Sequence, residues 1–206
     1  MRLFYQSFGV SRGSRDGRYG QVLKSILDRS AAPGTEISIH GLSPHRAIAE
    51  QCRYLEFLDK AEVMENGLRA ERGGYDAFVL GNIFDPGLHE LRELLNIPVL
   101  GLCESSVHVA CLMGATFSLI NVNPMTRRRP RSPTSLRNVQ SLEQGAEVLV
   151  PAGETLIAVL ADAGVHQIDS APVLDGLIAV IKVAEIAVAI AAALGRRAGA
   201  KRRSWQ

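Results

Sequence analysis

The sequence predicts an α/β protein whose strands form parallel sheets. Short apolar runs alternate with stretches of helical periodicity along most of the 206 residues, which is typical of βαβ units. The run DAFVL at 76–80 is almost entirely apolar, as expected for a strand covered by helices on both faces. The chain is 47% hydrophobic and 21% charged, which is ordinary for a globular protein and excludes a wholly disordered one.

Local signals place the elements of the first half. Apolar or alternating runs indicate strands, and apolar residues spaced by three or four that stop at Gly or Pro indicate helices. These signals predict strands at residues 3–5, 35–40 and 76–80, and helices at residues 21–28 and from 44 to about 71. Asp85 and Pro86 then predict a new helix, with the acid at the N-cap and the proline at its first position.

The second half continues the alternation with one interruption. Strands are predicted at residues 97–102, 116–121, 146–150 and 166–168, and helices from 104 to Gly114, at 153–163 and at 177–194. Residues 123–140 hold three prolines and five arginines without an apolar period. We therefore expect this segment to be irregular and exposed.

The charge distribution argues against an acidic partner. Lys and Arg total 23 against 21 acidic residues, a net charge of +2. The basic excess is confined to residues 127–137 and to the tail after Gly195, where no aromatic residues or known motif point to nucleic acid. No nucleic-acid partner is expected. The five histidines lack metal-site spacing, so no metal is expected either.

Cysteine usage and hydropathy predict a cytoplasmic protein without a membrane partner. The cysteines Cys52, Cys103 and Cys111 are odd in number and have no metal-site or CxxC spacing, which favours reduced thiols. The N-terminus lacks the layout of a signal peptide. Residues 177–194 are about long enough to span a bilayer. Because Lys182 and Glu185 interrupt them and alanine is abundant, we interpret them as a core helix.

Polar and small residues follow four of the predicted strands. In open parallel sheets a ligand lies beyond the carboxyl ends of the strands, and helix N-termini there offer N–H donors to a carboxylate or imide oxygen. Any one of these loops alone is better explained as an ordinary cap or turn, but the four together favour a small anionic or polar ligand. The candidate binding residues are Gln6, Ser7, Asn82, Ser105, Ser106, Ala152 and Gly153.

Several segments carry a family resemblance. The runs GYDAFVLGNIFDPGL at 74–88 and IPVLGLCESS at 97–106 resemble the aspartate/glutamate/hydantoin racemase superfamily, and in particular its hydantoin racemase-like branch. The runs LFYQSF at 3–8 and APVLDG at 171–176 are similar to the same branch, so the similarity covers about residues 2–123 and 145–193. It implies two βαβ lobes with parallel sheets facing across a cleft. It also implies no cofactor and a small carboxylate, amino acid or hydantoin as ligand.

The resemblance also shows where this sequence departs from the family. Family racemases use one cysteine per lobe, because inversion needs an acid and a base on opposite faces of one carbon. Here Asn82 and Pro151 stand at those two positions, and neither side chain titrates. Two-cysteine racemization is therefore not expected. Cys103 and Glu104 are the candidates for a single acid–base group, with Ser105 and Ser106 as donors to an enolate; Cys52 and Cys111 are expected in the core.

The same resemblance implies lobe boundaries. Residues 1–95 with about 170–195 would form the first lobe and 96–169 the second, followed by a basic tail at 196–206. The second lobe is shortened, because the family carries several tens more residues between Asn123 and Gly145; a natural deletion and an altered reading of the gene both fit. A shortened lobe exposes apolar surface unless a partner covers it, so a homo-oligomer is expected.

Three functions are compatible with the sequence. The first is a cofactor-independent racemase-family protein that binds a small carboxylate or imide between the lobes. The second is a non-catalytic binding or regulatory module that keeps the cleft. The third is a one-base isomerase or decarboxylase, which needs a single acid–base group.

Overall fold

A four-stranded parallel sheet organises the first half of the chain. The computed structural model describes residues 1–10, 17–43, 53–120 and 145–195. Its strands are β1 Arg2–Val10, β2 Glu36–Leu42, β3 Ala77–Gly81 and β4 Val99–Gly101. They run in the order β2-β1-β3-β4, and all neighbours are parallel.

Helices cover both faces of this main sheet because its side chains alternate between them. The helices are α1 Arg18–Ser30, α2 Arg53–Arg72, α3 Leu88–Leu94, α4 Leu102–Met113, α5 Glu154–Asp162 and α6 Gly176–Ala193. Leu3, Tyr5 and Val79 lie on one face of the sheet, in a core with apolar residues of α1, α5 and α6. Phe4 and Phe78 lie on the other face, against α2 and α3.

A second, smaller parallel sheet follows α4. Its strands β5 Phe117–Ile120 and β6 Val148–Pro151 pair along their whole length, and an isolated bridge joins Leu149 to Val173. A short antiparallel pair, β7 Gln167–Ile168 and β8 Ala171–Pro172, precedes α6. The α/β fold with parallel sheets is confirmed. The shortening of the second lobe concerns residues outside the described ranges, as do the predicted irregular segment 123–140 and the basic tail, and it stays a prediction.

Helix α6 is buried along its first half and exposed along its second. Leu177, Val180 and Ile181 are fully buried in the core that contains Tyr5, which agrees with the predicted core helix. Among the described residues, α6 is the one helix long and apolar enough to cross a membrane, and 39% of that stretch is buried inside the protein. The exposed large apolar residues of its second half are Ile186 and Ile190, and Leu194 directly after the helix is exposed as well.

Three local predictions are wrong. Gln6 and Ser7 do not follow the first strand, because β1 extends to Val10 and both residues pair within the main sheet. Asp85 and Pro86 do not begin a helix, because α3 starts at Leu88 after Gly87, which adopts a φ of +83°. Cys111 is exposed instead of buried. The buried residues of α4 are Leu102, Ser105, Ser106 and Ala110, so the position after Ala110 turns away from the core.

Strand β4 lies in the main sheet, although the predicted division at residue 96 assigns it to the second lobe. Its residues pair with Phe78, Val79 and Leu80 of β3. Only a short connection separates α3 from β4, which returns the chain to the same sheet. The described main sheet therefore extends to Gly101, and the division into lobes stays a prediction.

Candidate functional site

Strand β1 meets the start of α5 through one buried carboxylate, at the level where the neighbouring strand β3 ends. Glu154, the first residue of α5, is only 6% exposed. Its Oε1 accepts a hydrogen bond from the Tyr5 hydroxyl at 2.9 Å, and its Oε2 accepts one from the Ser7 hydroxyl at 3.2 Å. Tyr5 and Ser7 are two residues apart on β1 and therefore point to the same face.

This contact lies beside the two positions that the resemblance singles out. Ser7 pairs with Gly81, the residue before Asn82, while Glu154 follows Pro151 by three positions. Asn82 is buried, and its Oδ1 accepts a hydrogen bond from the Phe84 amide at 2.9 Å. Pro151 is buried at the end of β6. The ends of β1, β3 and β6 are thereby brought to one region.

Tyr5 is the buried hydroxyl at the centre of this region. Burial raises its pKa well above the ordinary value of 10, and the nearby carboxylates of Glu154 and Asp175 raise it further. Tyr5 therefore stays protonated and remains a hydrogen-bond donor at neutral pH. The Tyr5 side chain packs closely against Gly81. A Cβ added to Gly81 would lie only 2.5 Å from the Tyr5 hydroxyl oxygen, so the ring has little room to move on this side.

Asp85 caps the start of α4 from a neighbouring loop. Its Oδ1 accepts a hydrogen bond from the Cys103 amide at 3.0 Å and its Oδ2 accepts one from the Glu104 amide at 2.9 Å. Burial raises the pKa of Asp85 from 3.8 to about 6. The amides that were predicted to face a ligand at this helix start are thus already bonded to Asp85.

Cys103 and Glu104, the predicted acid–base candidates, lie at the same helix start. Burial raises the pKa of the Cys103 thiol to about 12, with further contributions from Asp85 and Glu104. Its thiol is therefore protonated at neutral pH. A hydrogen bond from Arg92 lowers the pKa of Glu104, whose Oε1 lies 3.0 Å from Arg92 Nη1. Glu104 is thus an ion-paired carboxylate.

Besides Ser7 and Asn82, three more of the predicted binding residues have hydrogen bonds within the protein. Gln6 lies on the opposite face from Ser7, where its Oε1 accepts a hydrogen bond from Asn66 at 2.8 Å. The Ser106 hydroxyl donates to the Leu102 carbonyl at 2.6 Å. The Ala152 amide donates to the Ile120 carbonyl at 2.7 Å. These groups hold the framework of the site.

Ser105 is notable for its buried hydroxyl, and Gly153 for its backbone conformation. Within the described parts of the chain, the buried Ser105 hydroxyl has no hydrogen-bond partner. Gly153 precedes α5 with a φ of +139°, a conformation that favours glycine. Ser105 therefore retains an unused donor.

Glu154 was absent from the sequence-based candidates. An acid at the first helical position usually reflects the helix dipole, so it does not by itself indicate a functional residue. The signal that points to a buried partner is the pair of hydroxyls, Tyr5 and Ser7, on one face of β1. No group of three or more His, Cys, Asp or Glu side chains in the described ranges could hold a metal ion.

Comparisons with known proteins agree on one family. The model of the Asp/Glu/hydantoin racemase family matches residues 19–195. The chain is 38% identical over 95 residues to a hydantoin racemase of Pseudomonas sp. strain NS671, covering 46% of this chain and 38% of that protein. It is 33% identical over 111 residues to a hydantoin racemase of Paenarthrobacter aurescens, covering 52% and 47%. The aligned region therefore spans less than half the length of these relatives.

Solved structures show the same fold at lower identity. The allantoin racemase of Pseudomonas fluorescens superposes with a TM-score of 0.73 at 21% identity, covering 98% of this chain and 95% of that one. The glutamate racemase of Aquifex pyrophilus superposes with a TM-score of 0.58 at 16% identity, covering 90% and 83%. These neighbours establish the two-lobe α/β fold.

Proposed function

The chain belongs to the Asp/Glu/hydantoin racemase family, and we propose that it binds a small carboxylate, amino acid or hydantoin between its two lobes. The contact between Ser7 and Glu154 is the observation that carries this proposal. It joins β1, at the level where β3 ends, to the helix start that follows β6, and a ligand of a parallel α/β protein is expected at such strand ends. The hydantoin racemases that the chain resembles support an imide or carboxylate as the ligand.

Binding without racemization follows from the residues at the two decisive positions. Asn82 and Pro151 stand where family members carry cysteines, and neither can accept or deliver a proton. Cys103 does not replace them, because its pKa of about 12 keeps the thiol protonated at neutral pH. Glu104 is engaged by Arg92. The protein therefore binds a racemase-type ligand but lacks a pair of groups that could invert it.

The residues proposed to contact the ligand are those at the carboxyl ends of the strands. Ser7, Asn82, Ser105, Ala152 and Gly153 would line the site, with the Ser105 hydroxyl as an available donor. Gln6 and Ser106 would position the backbone around it, since their side chains bond within the protein.

A titration with a panel of ligands tests this proposal. The panel contains enantiopure 5-substituted hydantoins, amino acids and arylmalonates, followed by calorimetry or ligand-observed NMR. We expect at least one class to bind and Ser105→Ala to weaken its binding about five- to tenfold, since a neutral hydrogen bond contributes about 1 kcal/mol. Ser25→Ala, at an exposed serine, is the matched control and should bind as the wild type. Failure of every class to bind would refute the proposal.

We further propose that the chain forms a homo-oligomer and functions in the cytoplasm. Exposed apolar side chains on α6 (Ile186 and Ile190) and just after it (Leu194) support association, because an apolar face of this kind is stabilised when another surface covers it. The free thiols of Cys103 and Cys111 support a reducing compartment.

A further inference from the structure

We propose that Glu154 is the group that moves a proton in this site, on one face of the bound ligand only. The inference rests on the proposed function, because it requires a hydantoin or amino acid to bind beside Glu154. It adds a chemical activity to that binding: exchange of the α-proton without inversion. Its basis is the buried contact of Glu154 with Tyr5 and Ser7.

Glu154 is distinguished from the other acids nearby by the groups that hold it. Asp85 is fixed by two backbone amides at the start of α4. Glu104 is fixed by the Arg92 guanidinium. Asp175 caps α6, where its Oδ1 accepts hydrogen bonds from the amides of Leu177 and Ile178. These donors are backbone amides or a guanidinium, and Oδ2 of Asp175 is buried without a hydrogen-bond partner among the described residues.

Two of the hydrogen-bond donors to Glu154 are hydroxyl groups. A hydroxyl can both give and accept a proton, so Tyr5 and Ser7 can exchange protons with a carboxyl group that an amide would only hold. Tyr5 and Ser7 are both fully buried. Because their hydroxyls bond to different oxygens of Glu154, they hold its carboxylate in one orientation. A positioned group of this kind is what general acid–base catalysis requires.

The location of Glu154 is also consistent with proton transfer to and from a bound ligand. It follows Pro151 by three residues at the end of β6, so it lies on the side of the site where the second family cysteine is missing. Ser7, its hydrogen-bond donor, is the register partner of Gly81 and leads directly to Asn82. A ligand seated between these strand ends would have a base on one side and the non-titrating Asn82 on the other.

The proposed step is balanced without a cofactor. The Glu154 carboxylate takes the proton from the carbon beside the ligand's carbonyl group, and the electron pair of the broken C–H bond moves into the carbonyl to form an enolate. The resulting carboxylic acid returns a proton to the same face of that carbon. In D₂O the carboxylic acid exchanges its proton for a deuteron before return, so C–H becomes C–D with retained configuration.

Deuterium exchange tests the inference. An enantiopure 5-substituted hydantoin is incubated in D₂O with the full chain, and loss of the C5 proton signal is followed by NMR while chiral chromatography reports configuration. We expect exchange above the protein-free rate, with configuration retained. Glu154→Gln should lower the protein-dependent rate by about 10²-fold or more, the usual contribution of one acid–base group.

Two features of the variants make the test specific. Glutamine keeps the size of the side chain, can accept from Tyr5 and can donate to Ser7, so its effect reports proton transfer. Glu90→Gln, at an exposed glutamate paired with Lys60, is the control and should exchange at the wild-type rate. Should Glu154→Gln fail to fold, Glu154→Asp withdraws the carboxylate by one methylene and should lower exchange at least tenfold.

The outcomes separate the two proposals. Binding with no exchange above the protein-free rate overturns the role of Glu154 and leaves the proposed function standing. Exchange that is unchanged in Glu154→Gln, or in Glu154→Asp where that variant is needed, also overturns it. Absence of binding overturns the proposed function together with this inference.

Discussion

The Tyr5 hydroxyl donates a hydrogen bond to Glu154 Oε1 at 2.9 Å across 149 residues of sequence. Tyr5 belongs to the first strand of the main sheet, and Glu154 begins the helix that follows the second sheet. Both side chains are buried. This single bond therefore ties the two parallel sheets together at the edge where the ligand is proposed to bind.

Removing the Tyr5 hydroxyl should destabilise the protein. In Tyr5→Phe the buried Glu154 loses a donor, and a hydrogen bond to a charged group contributes about 1.5–3 kcal/mol. We expect the free energy of unfolding, measured in urea, to fall by that amount. Tyr54→Phe, at a tyrosine that is 66% exposed, should change it by less than about 0.5 kcal/mol. Equal effects in the two variants would show that the bond contributes nothing.

Asp85 should make stability decrease as the pH rises. Its pKa is raised from 3.8 to about 6 in the folded protein, so between these values the folded state binds more protons than the unfolded state. The linkage relation then makes the free energy of unfolding fall with increasing pH across this window.

The comparison with Asp85→Asn isolates this effect. The wild type should lose about 2–3 kcal/mol relative to the variant between pH 4 and pH 6, because one pH unit corresponds to about 1.4 kcal/mol. Above pH 7 the difference should be constant. Urea unfolding of both proteins at several pH values measures it. A difference that does not vary between pH 4 and pH 7 would contradict the prediction.

A close approach between α4 and α6 predicts a rescue by a second mutation. A Cβ on Gly176 would lie 2.5 Å from the Ser106 hydroxyl oxygen and 3.1 Å from Ile157 Cδ1. Gly176→Ala should therefore lower the free energy of unfolding by about 1–3 kcal/mol, the usual cost of overpacking. In a Ser106→Ala background the same change should cost much less. Additive effects in this double-mutant cycle would show that the two positions do not collide.

The exposed second half of α6 predicts how the protein associates. Ile186 and Ile190 are 58% and 54% exposed and lie one helical turn apart on one face. Changing both to Glu should shift the sedimentation coefficient toward that of a monomer. The folded fraction should be unchanged, because neither side chain is buried. The same sedimentation coefficient for both proteins would exclude this face as the interface.

The alternation of strands and helices was predictable because periodicity reports burial directly. The apolar run before Gly81 became the central strand β3, and the run at 177–194 became α6 with its first half in the core. Boundaries were less accurate. Asp85 has the residue type and position of an N-cap, yet its carboxylate caps α4, because a tertiary contact replaced the local one.

The candidate site was only partly predictable for a similar reason. Asn82 could be found because it follows β3, and the position of a strand end can be inferred from sequence. The same reasoning indicates Ser7, although β1 continues past it to Val10. Glu154 could not be found in this way, since its partners are 147 and 149 residues away. The two hydroxyls on one face of β1 indicate a buried polar partner but do not identify which residue it is. The partner of a buried carboxylate is set by how the two sheets pack together.

The most direct test of the account is the optical activity of a bound ligand. A single enantiomer of a hydantoin that binds is incubated with the wild-type protein, and its enantiomeric ratio is followed by chiral chromatography. We predict that the ratio does not change beyond the protein-free rate, because Asn82 and Pro151 leave no pair of proton-transfer groups on opposite faces. Inversion at a typical enzymatic rate of about 1–10³ s⁻¹ would contradict the loss of two-base racemization.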